Sequence, residues 1–121
     1  MTARELRIGN YINPKFPMKV VNIFPDEVNA DFEGNEGDVF EFKNEDIEGV
    51  PIDEEWLKKI NLVSVGGDFV RFNKLRCFLL RRDNSGYYYG LPNNSMRTEV
   101  KFIHQLQNLY FALTGEEIEF K

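Results

Sequence analysis

The chain has 121 residues and a net charge of −5, with 42% hydrophobic and 29% charged residues. These values exclude a disordered chain, because disordered chains have too few apolar residues to bury. The single cysteine excludes an internal disulfide framework. No segment approaches the roughly 20 apolar residues of a membrane-spanning helix. We therefore expect one domain over residues 1–121, with no membrane partner.

The first five residues lack the apolar region of a secretory signal peptide, which predicts a cytoplasmic protein. Charge is divided unevenly along the chain. Residues 1–55 carry fourteen acidic and five basic side chains, whereas residues 56–121 carry six acidic and ten basic ones. Two interpretations stay open: the halves complement each other, or one of them faces a partner.

Alternating apolar and polar residues in the first half predict short antiparallel strands. The two-residue period is clearest where Val28, Ala30 and Phe32 alternate with polar residues. The predicted strands cover residues 10–12, 18–24, 28–33 and 40–43. Turn-forming residues such as Pro25 and Asp26 separate them. The fold class is therefore expected to be α+β, with a mostly antiparallel sheet that resembles a small barrel or a meander in this half.

After Pro51 the pattern changes to that of a short middle helix. Asp53 can accept a hydrogen bond from the first turn, and Glu54 and Glu55 favour the positive end of the helix dipole. The helix is expected to end before Asn61. Its buried side is formed by Trp56, Leu57 and Ile60.

Two hairpins are predicted between this helix and the last one. Gly66 and Gly67 can form the first turn because glycine accepts a positive φ. Residues 83–86 form the second turn. The predicted strands are 62–65, 68–72, 75–82 and 87–91.

The second hairpin combines basic and aromatic residues, which makes it a candidate nucleic-acid site. Cations could bind phosphates while unstacked bases lie on the rings. Pairing about residues 83–86 sets Arg82 opposite Tyr87. It also sets Arg81 opposite Tyr88, and an arginine that covers a ring can instead simply stabilise a sheet. The candidate residues are Arg71, Lys74, Arg76, Arg81, Arg82, Tyr87, Tyr88 and Tyr89.

A longer C-terminal helix is predicted over residues 100–113, with Thr98 as its cap and Gly115 as its stop. Ile118 and Phe120 alternate with glutamates, which predicts a short closing strand. The buried face of the helix is expected to contain Ile103, Leu106, Tyr110 and Leu113.

His104, Asn108 and Phe111 follow each other at three- and four-residue steps on the neighbouring flank of this helix, which is expected to be partly exposed. An aromatic side chain with polar neighbours is typical of an interface anchor. These residues are therefore candidates for binding an unknown protein partner or a second copy of the chain. The alternative is that another part of the same domain covers Phe111.

The predicted core combines the apolar sides of all these elements. Its members are Val28, Phe32, Phe40, Trp56, Leu57, Phe78, Leu80, Ile103, Leu106 and Leu113.

Three runs of the sequence carry a resemblance to known proteins: LRIGNYI at residues 6–12, VPIDEEWL at 50–57 and HQLQNLYFALTGEE at 104–117. In order and position they resemble a family of small uncharacterised proteins found in Bacteroidetes and their phages. The chain departs from that family after Leu57, where the family continues into a Gly-Phe pair. The resemblance implies a bacterial or phage setting and no particular activity.

Residues suited to catalysis or metal binding are few. His104 has no cysteine, aspartate or glutamate one helical turn away, as a zinc site or a local dyad would need. Cys77 lies in an apolar strand and is expected to be a small buried residue. The acidic residues between Glu45 and Glu55 lack the spacing of an EF-hand loop and suit a solvated face or, as a minor alternative, a mimic of DNA phosphates. We expect no metal, no cofactor and no enzymatic activity.

The sequence thus favours a non-catalytic protein-interaction or accessory module of bacterial or phage origin. The alternative is a nucleic-acid-associated protein that binds through residues 71–89.

Overall fold

The computed structural model describes residues 3–60, 62–66, 69–72, 79–83, 86–90 and 98–120. Antiparallel sheets and helices are both present, which confirms the α+β class. The chain forms two compact units. The first is Met1–Pro51 with Phe102–Asn108, and the second is Ile52–Lys101 with Leu109–Lys121. The single domain expected from the sequence stays a prediction, which one cooperative unfolding transition would support.

The first unit contains a four-stranded antiparallel sheet. Its strands are β1 (Tyr11–Ile12), β2 (Met18–Ile23), β3 (Glu27–Asp31) and β4 (Phe40–Lys43). They lie in the order β1-β2-β3-β4, which is the order of a meander. Short 3-10 turns at Ala3–Glu5 and Asn44–Asp46 precede β1 and follow β4.

The core of the first unit follows the predicted alternation. In β3, Val28 and Ala30 are fully buried, and the residues between and beside them are only half-buried. The buried cluster consists of Ala3, Leu6, Ile12, Met18, Val20, Val28, Ala30 and Ile47. Small and branched side chains therefore fill the dry face of this sheet.

Phe40 was predicted to lie in the core, and the structure corrects this because its side chain is 46% exposed. It lies on the end strand opposite Ala30, and its ring stacks on that of Phe32 with centroids 6.1 Å apart. The two-residue period identifies the face on which Phe40 lies. It does not show whether anything covers that face.

The second unit contains helix α1 (Glu54–Lys58) and a five-stranded antiparallel sheet. The Asp53 carboxylate accepts a hydrogen bond from the Trp56 N–H at 2.9 Å, which confirms the predicted cap. Gly66 has a positive φ of 109°, but it ends the strand Leu62–Gly66 and pairs with Phe69, which corrects its predicted place in the hairpin turn. Gly67 lies outside the described residues. The strands, in sheet order, are β5 (Leu62–Gly66), β6 (Phe69–Phe72), β7 (Leu79–Asp83), β8 (Gly86–Gly90) and β9 (Thr98–Val100).

Strand β9 corrects the prediction that Thr98 caps the last helix. Thr98 pairs with Tyr89 of β8, so its backbone belongs to the sheet. Helix α2 (Ile103–Thr114) begins later than predicted. The Gln105 side chain accepts a hydrogen bond from the Phe102 N–H at 3.1 Å, which is the returning half of a capping box.

The end of α2 agrees with the sequence in part. Gly115 has a φ of 73°, and its N–H donates to the Phe111 carbonyl at 2.8 Å, so it stops the helix as predicted. Leu113 was predicted to be buried but is 54% exposed, because the covered face ends with the preceding turn at Tyr110.

The predicted closing strand is absent, because residues 117–120 form no strand. Burial still alternates there, with Ile118 buried and Phe120 half-buried. The Phe120 ring lies edge-on to the Trp56 ring, with centroids 5.7 Å apart. The alternation thus reflects packing against α1 rather than strand pairing.

The remaining core predictions have mixed outcomes. Val28, Trp56, Ile103 and Leu106 are buried, and Phe32 and Leu57 are half-buried. Phe78 and the Leu80 side chain lie outside the described residues.

Candidate interaction surface

The flank of α2 that was predicted to bind a partner is largely internal to the first unit. His104 is only 1% exposed, which corrects its predicted partial exposure. Asn108 is half-buried and hydrogen-bonded to the N-terminal segment. The helical period located this flank correctly. It could not show that a segment about 100 residues away covers it.

The N-terminal segment binds this flank through what we call the polar network, formed by Arg7, Asn10, Gln107 and Asn108. The Asn108 carbonyl oxygen accepts hydrogen bonds from Arg7 Nε and Asn10 Nδ2, both at 2.9 Å. Its amide donates to the Glu5 backbone carbonyl at 3.1 Å. Asn10 and Gln107 are 0% and 2% exposed, so the network is a buried structural element.

Gln107 closes the edge of the sheet at β1. Its side-chain oxygen accepts from the Tyr11 N–H at 2.9 Å, and its amide donates to the Gly9 carbonyl at 3.0 Å. Next to it, the Asn13 N–H donates to the Glu48 carbonyl at 2.7 Å. The outward polar groups of this edge are therefore satisfied by the chain itself, as buried backbone groups must be.

The chemistry available at His104 is limited by its burial. Burial lowers the pKa of the imidazole, and the nearby Glu5 carboxylate acts in the opposite direction. The Glu5 oxygen lies 3.9 Å from Nε2, which is too far for a hydrogen bond. Nδ1 is buried and has no hydrogen-bond partner among the described residues. A neutral imidazole that is shielded from water is poorly placed to exchange protons with a bound molecule.

The opposite edge of the same sheet, at β4, is exposed. No described strand pairs with the outer side of β4, which ends the sheet order. Glu41 and Lys43 are exposed, and Phe42 packs partly against the core. We call the outer side of residues 40–43 the β4 edge.

Hydrogen bonding to β3 determines which backbone groups point out of this edge. The Asn44 N–H donates to the Asp26 carbonyl at 3.1 Å, and Lys43 before it is extended, with φ −82° and ψ 163°. Inward and outward positions alternate in an antiparallel pair, so Phe42 bonds inward like Asn44. The N–H and C=O groups of Glu41 and the N–H of Lys43 therefore point outward. Lys43 is also the N-cap of the 3-10 turn Asn44–Asp46, so its C=O accepts the first hydrogen bond of that turn.

Aromatic side chains form a row that runs from Phe16 through Phe32 to Phe40 on the β4 edge. Phe16 meets Phe32 edge-on with centroids 5.0 Å apart, and Phe32 stacks on Phe40 at 6.1 Å. Phe16, Val39 and Phe40 are each about 45% exposed. An apolar strip at an open strand edge is typical of a surface that receives another polypeptide.

The basic and aromatic hairpin has the predicted register, with Arg82 paired to Tyr87 and Arg81 paired to Tyr88. Lys74, like Arg76 and Cys77, lies outside the described residues, as do the side chains of β7 and β8.

This register divides the hairpin positions between the two sides of the sheet. Tyr88 pairs with Glu99, whereas Tyr87 pairs with Val100, which is buried. Directly paired positions share a side, so residues 81 and 88 lie on the side of Glu99. Residues 82, 87 and 89 lie on the side of Val100. Whether the candidate side chains share one surface stays a prediction, because they lie outside the described residues apart from Arg71.

Two candidate site residues remain, Arg71 for nucleic-acid binding and Phe111 for protein binding, and both belong to the second unit. Arg71 is half-buried, and its guanidinium donates to the Phe72 carbonyl at 3.2 Å. Phe111 is 39% exposed, in agreement with its predicted partial exposure.

Within the described ranges, no group of three or more histidine, cysteine, aspartate or glutamate side chains could hold a metal ion. None of the helices in the described part of the chain is both long enough and apolar enough to cross a membrane.

Sequence reasoning missed the polar network and the open edge. A signal for the network existed, because Gln107 follows Ile103 by four residues and precedes Tyr110 by three, in the middle of the buried helical face. A polar residue at such a position needs a buried partner. No comparable signal marked the β4 edge, since the order of strands in a sheet is not a local property.

Comparison with protein-family models, with curated proteins and with solved structures gave no match to this chain.

Proposed function

We propose that the chain is a non-catalytic protein-interaction or accessory module, of bacterial or phage origin and cytoplasmic, that binds an extended polypeptide at the β4 edge. The observation that carries the proposal is the outward direction of the Glu41 and Lys43 backbone groups on a strand that ends the sheet. Strand addition at such an edge supplies affinity through main-chain hydrogen bonds.

The surroundings of the edge support the same function. The outward groups belong to a strand that is held firmly from the other side, because four consecutive residues of β4 pair with β3. The exposed ring of Phe40 belongs to β4 itself and can cover side chains of an added strand. Loss of its exposed area would favour binding at roughly 25 cal/mol per Å² of apolar surface.

The test is a capture experiment that compares three baits in nuclease-treated lysate: wild type, Glu41→Pro and Glu48→Lys. Proline removes the outward N–H of residue 41 and is tolerated on edge strands, where that group faces solvent. Glu48→Lys is the control, because Glu48 is an exposed residue outside β4. We expect polypeptides that wild type and the control retain and that Glu41→Pro loses. Equal recovery by all three baits would contradict the proposed site.

A second candidate function is nucleic-acid binding through the 71–89 hairpin. The confirmed pairing of Arg81 with Tyr88 favours it, since the two positions share one side of the sheet. Single-stranded oligonucleotide binding should then weaken steeply with salt, and Arg81→Ala should reduce that dependence. Arg82→Ala is a matched control on the other side and should have less effect. Absence of binding at low salt would eliminate this candidate.

A further inference from the structure

Glu41 and Lys43 place opposite charges two residues apart on the β4 edge. We propose that β4 pairs with β4 of a second copy of the chain, antiparallel and centred on Phe42. This inference rests on the proposed function and names the polypeptide that the β4 edge receives. The resulting assembly would be a symmetric dimer in which the same edge of both copies forms one continuous sheet.

The backbone of β4 suits this pairing. With Phe42 facing Phe42 of the second copy, Glu41 lies opposite Lys43 of the second copy. The outward Lys43 N–H can donate to the Glu41 C=O of the second copy, and the outward Glu41 N–H faces the Lys43 C=O, which also accepts within the 3-10 turn. Two such pairs give two unshared hydrogen bonds across the axis and two more in which the Lys43 C=O is shared with its own 3-10 turn.

The charges select this register over its neighbours. In the proposed register the opposed side chains are Glu41 and Lys43, which attract each other at both symmetric positions. A shift that centres the axis on Glu41 sets that glutamate against its own copy. A shift that centres it on Lys43 sets lysine against lysine. Charged residues on an edge normally discourage pairing, and here their order disfavours the two adjacent registers.

The aromatic side chains add to the same register. Phe42 of each copy would meet at the axis as a directly opposed pair, with a Cβ separation of about 5 Å. Phe40 lies diagonally from Phe42 of the second copy, within reach of a ring. Pairing would therefore cover the side chain that the isolated sheet leaves 46% exposed.

The acidic first half of the chain makes two copies repel each other at long range, and salt counteracts this repulsion. At an ionic strength of 0.1 M, charges separated by more than about 10 Å are largely screened. The Glu41 and Lys43 pairs would be in direct contact and are weakened much less. We therefore expect the dimer to persist in moderate salt.

Charge reversal tests the proposal by sedimentation of the purified full chain. Glu41→Lys produces a chain with lysine at both positions, and Lys43→Glu produces one with glutamate at both. Each variant alone should dimerise at least about tenfold more weakly than wild type, because both opposed pairs become repulsive. An equal mixture of the two variants should recover a heterodimer, because every opposed pair then attracts. The double variant that carries both changes should dimerise like wild type.

Matched controls separate this effect from a general change in charge. Glu48→Lys and Lys15→Glu make the same charge changes at exposed positions outside β4, and neither should alter dimerisation. Lys43 also lies opposite Glu27 within its own sheet, so circular dichroism should verify that Lys43→Glu remains folded. Glu41→Lys faces the neutral Asn29 and is the cleaner variant.

Hydrogen exchange gives a second readout that does not depend on substitution. In dilute protein the amide of Phe42 should be protected, while those of Glu41 and Lys43 exchange rapidly. Raising the concentration should protect the amides of Glu41 and Lys43 together.

Three results would overturn the proposal: a wild type that stays monomeric at its highest soluble concentration, a dimer that neither reversal weakens, or a mixture of variants that forms no heterodimer. A monomeric wild type that still captures polypeptides through the β4 edge would overturn only the proposal that the partner is a second copy. The proposed function would still hold. If the dimer forms through a different surface and the Glu41→Pro bait captures the same polypeptides as wild type, both the proposed dimer and the proposed function are contradicted.

Discussion

The edge at β1 and the edge at β4 limit the same sheet, but their outward backbone groups have different surroundings. At β1, the Gln107 side chain accepts from the Tyr11 N–H at 2.9 Å, and a loop carbonyl accepts from the Asn13 N–H at 2.7 Å. At β4, the outward groups of Glu41 and Lys43 meet no described strand. One edge is closed by its own chain, and no strand in the described part of the chain closes the other.

This difference shows how one sheet can combine stability with binding. Exposed strand edges favour aggregation, and proteins protect them by covering them or by placing charges on them. The β1 edge is covered through the polar network. The β4 edge carries the alternating charges of Glu41 and Lys43, which limit the strands that can join it. The covered edge should therefore be sensitive to stability mutations, and the open edge to binding mutations.

The largest expected effect is on the helix that supports the covered edge. Leu106 is fully buried, so Leu106→Ala should lower the free energy of unfolding by about 2–5 kcal/mol through lost apolar contacts and the cavity left behind. Urea unfolding followed by circular dichroism measures the change. A loss below this range would mean that α2 is packed less tightly than its burial indicates.

A direct comparison of the two edges comes from Gln107→Ala and Glu41→Ala. The first leaves the Tyr11 N–H and the Gly9 carbonyl without the partner that Gln107 supplies, which should cost about 2–4 kcal/mol of stability. The second changes an exposed side chain and should alter stability by no more than about 0.5 kcal/mol. Equal losses in urea unfolding would break the distinction between the edges.

Local signals explain most of what the sequence predicted correctly. The strands of the first unit follow from the alternation of apolar and polar residues. The role of Asp53 as the N-cap of α1 follows from the capping preference of aspartate. The pairing of Arg82 with Tyr87 was predictable because a tight turn fixes the register of the strands it joins. Each of these features depends on residues that are close together along the chain.

The predictions that were wrong concern features that depend on residues distant in sequence. Asn10 and Gln107 are 97 positions apart, so no local pattern could pair them or predict the burial of His104. Thr98 suits a helix cap, but pairing with β8 overrides that preference. The candidate site was missed for the same reason, because whether Phe40 lies on a covered or an end strand depends on the order of the whole sheet.

The stability of the first unit should also respond to pH through His104, the one histidine in the chain. Burial lowers its pKa in the folded state below the ordinary value of 6.5. The unfolded chain therefore binds a proton more readily, so stability is complete above about pH 6.5 and falls as the pH drops towards the folded pKa. Urea unfolding at several pH values should show this loss.

His104→Gln is the matched control, because glutamine is polar but does not titrate. Its stability should change less between about pH 7 and pH 5, where carboxylates remain mostly ionised. An identical pH dependence in the variant would show that His104 is not responsible.

The smallest expected effect is that of Phe111→Asp, and it decides between two interfaces. The sequence alone made Phe111 an anchor for a partner or a second copy, together with His104 and Asn108. The structure shows that those two polar residues contact the N-terminal segment, so they do not form the exposed polar surroundings expected of an interface anchor.

Phe111 is 39% exposed, and substitution by aspartate should leave cooperative unfolding intact. Sedimentation should show dimerisation like that of wild type, because the β4 edge is unchanged. Loss of the dimer with unfolding preserved would move the interface from β4 to α2.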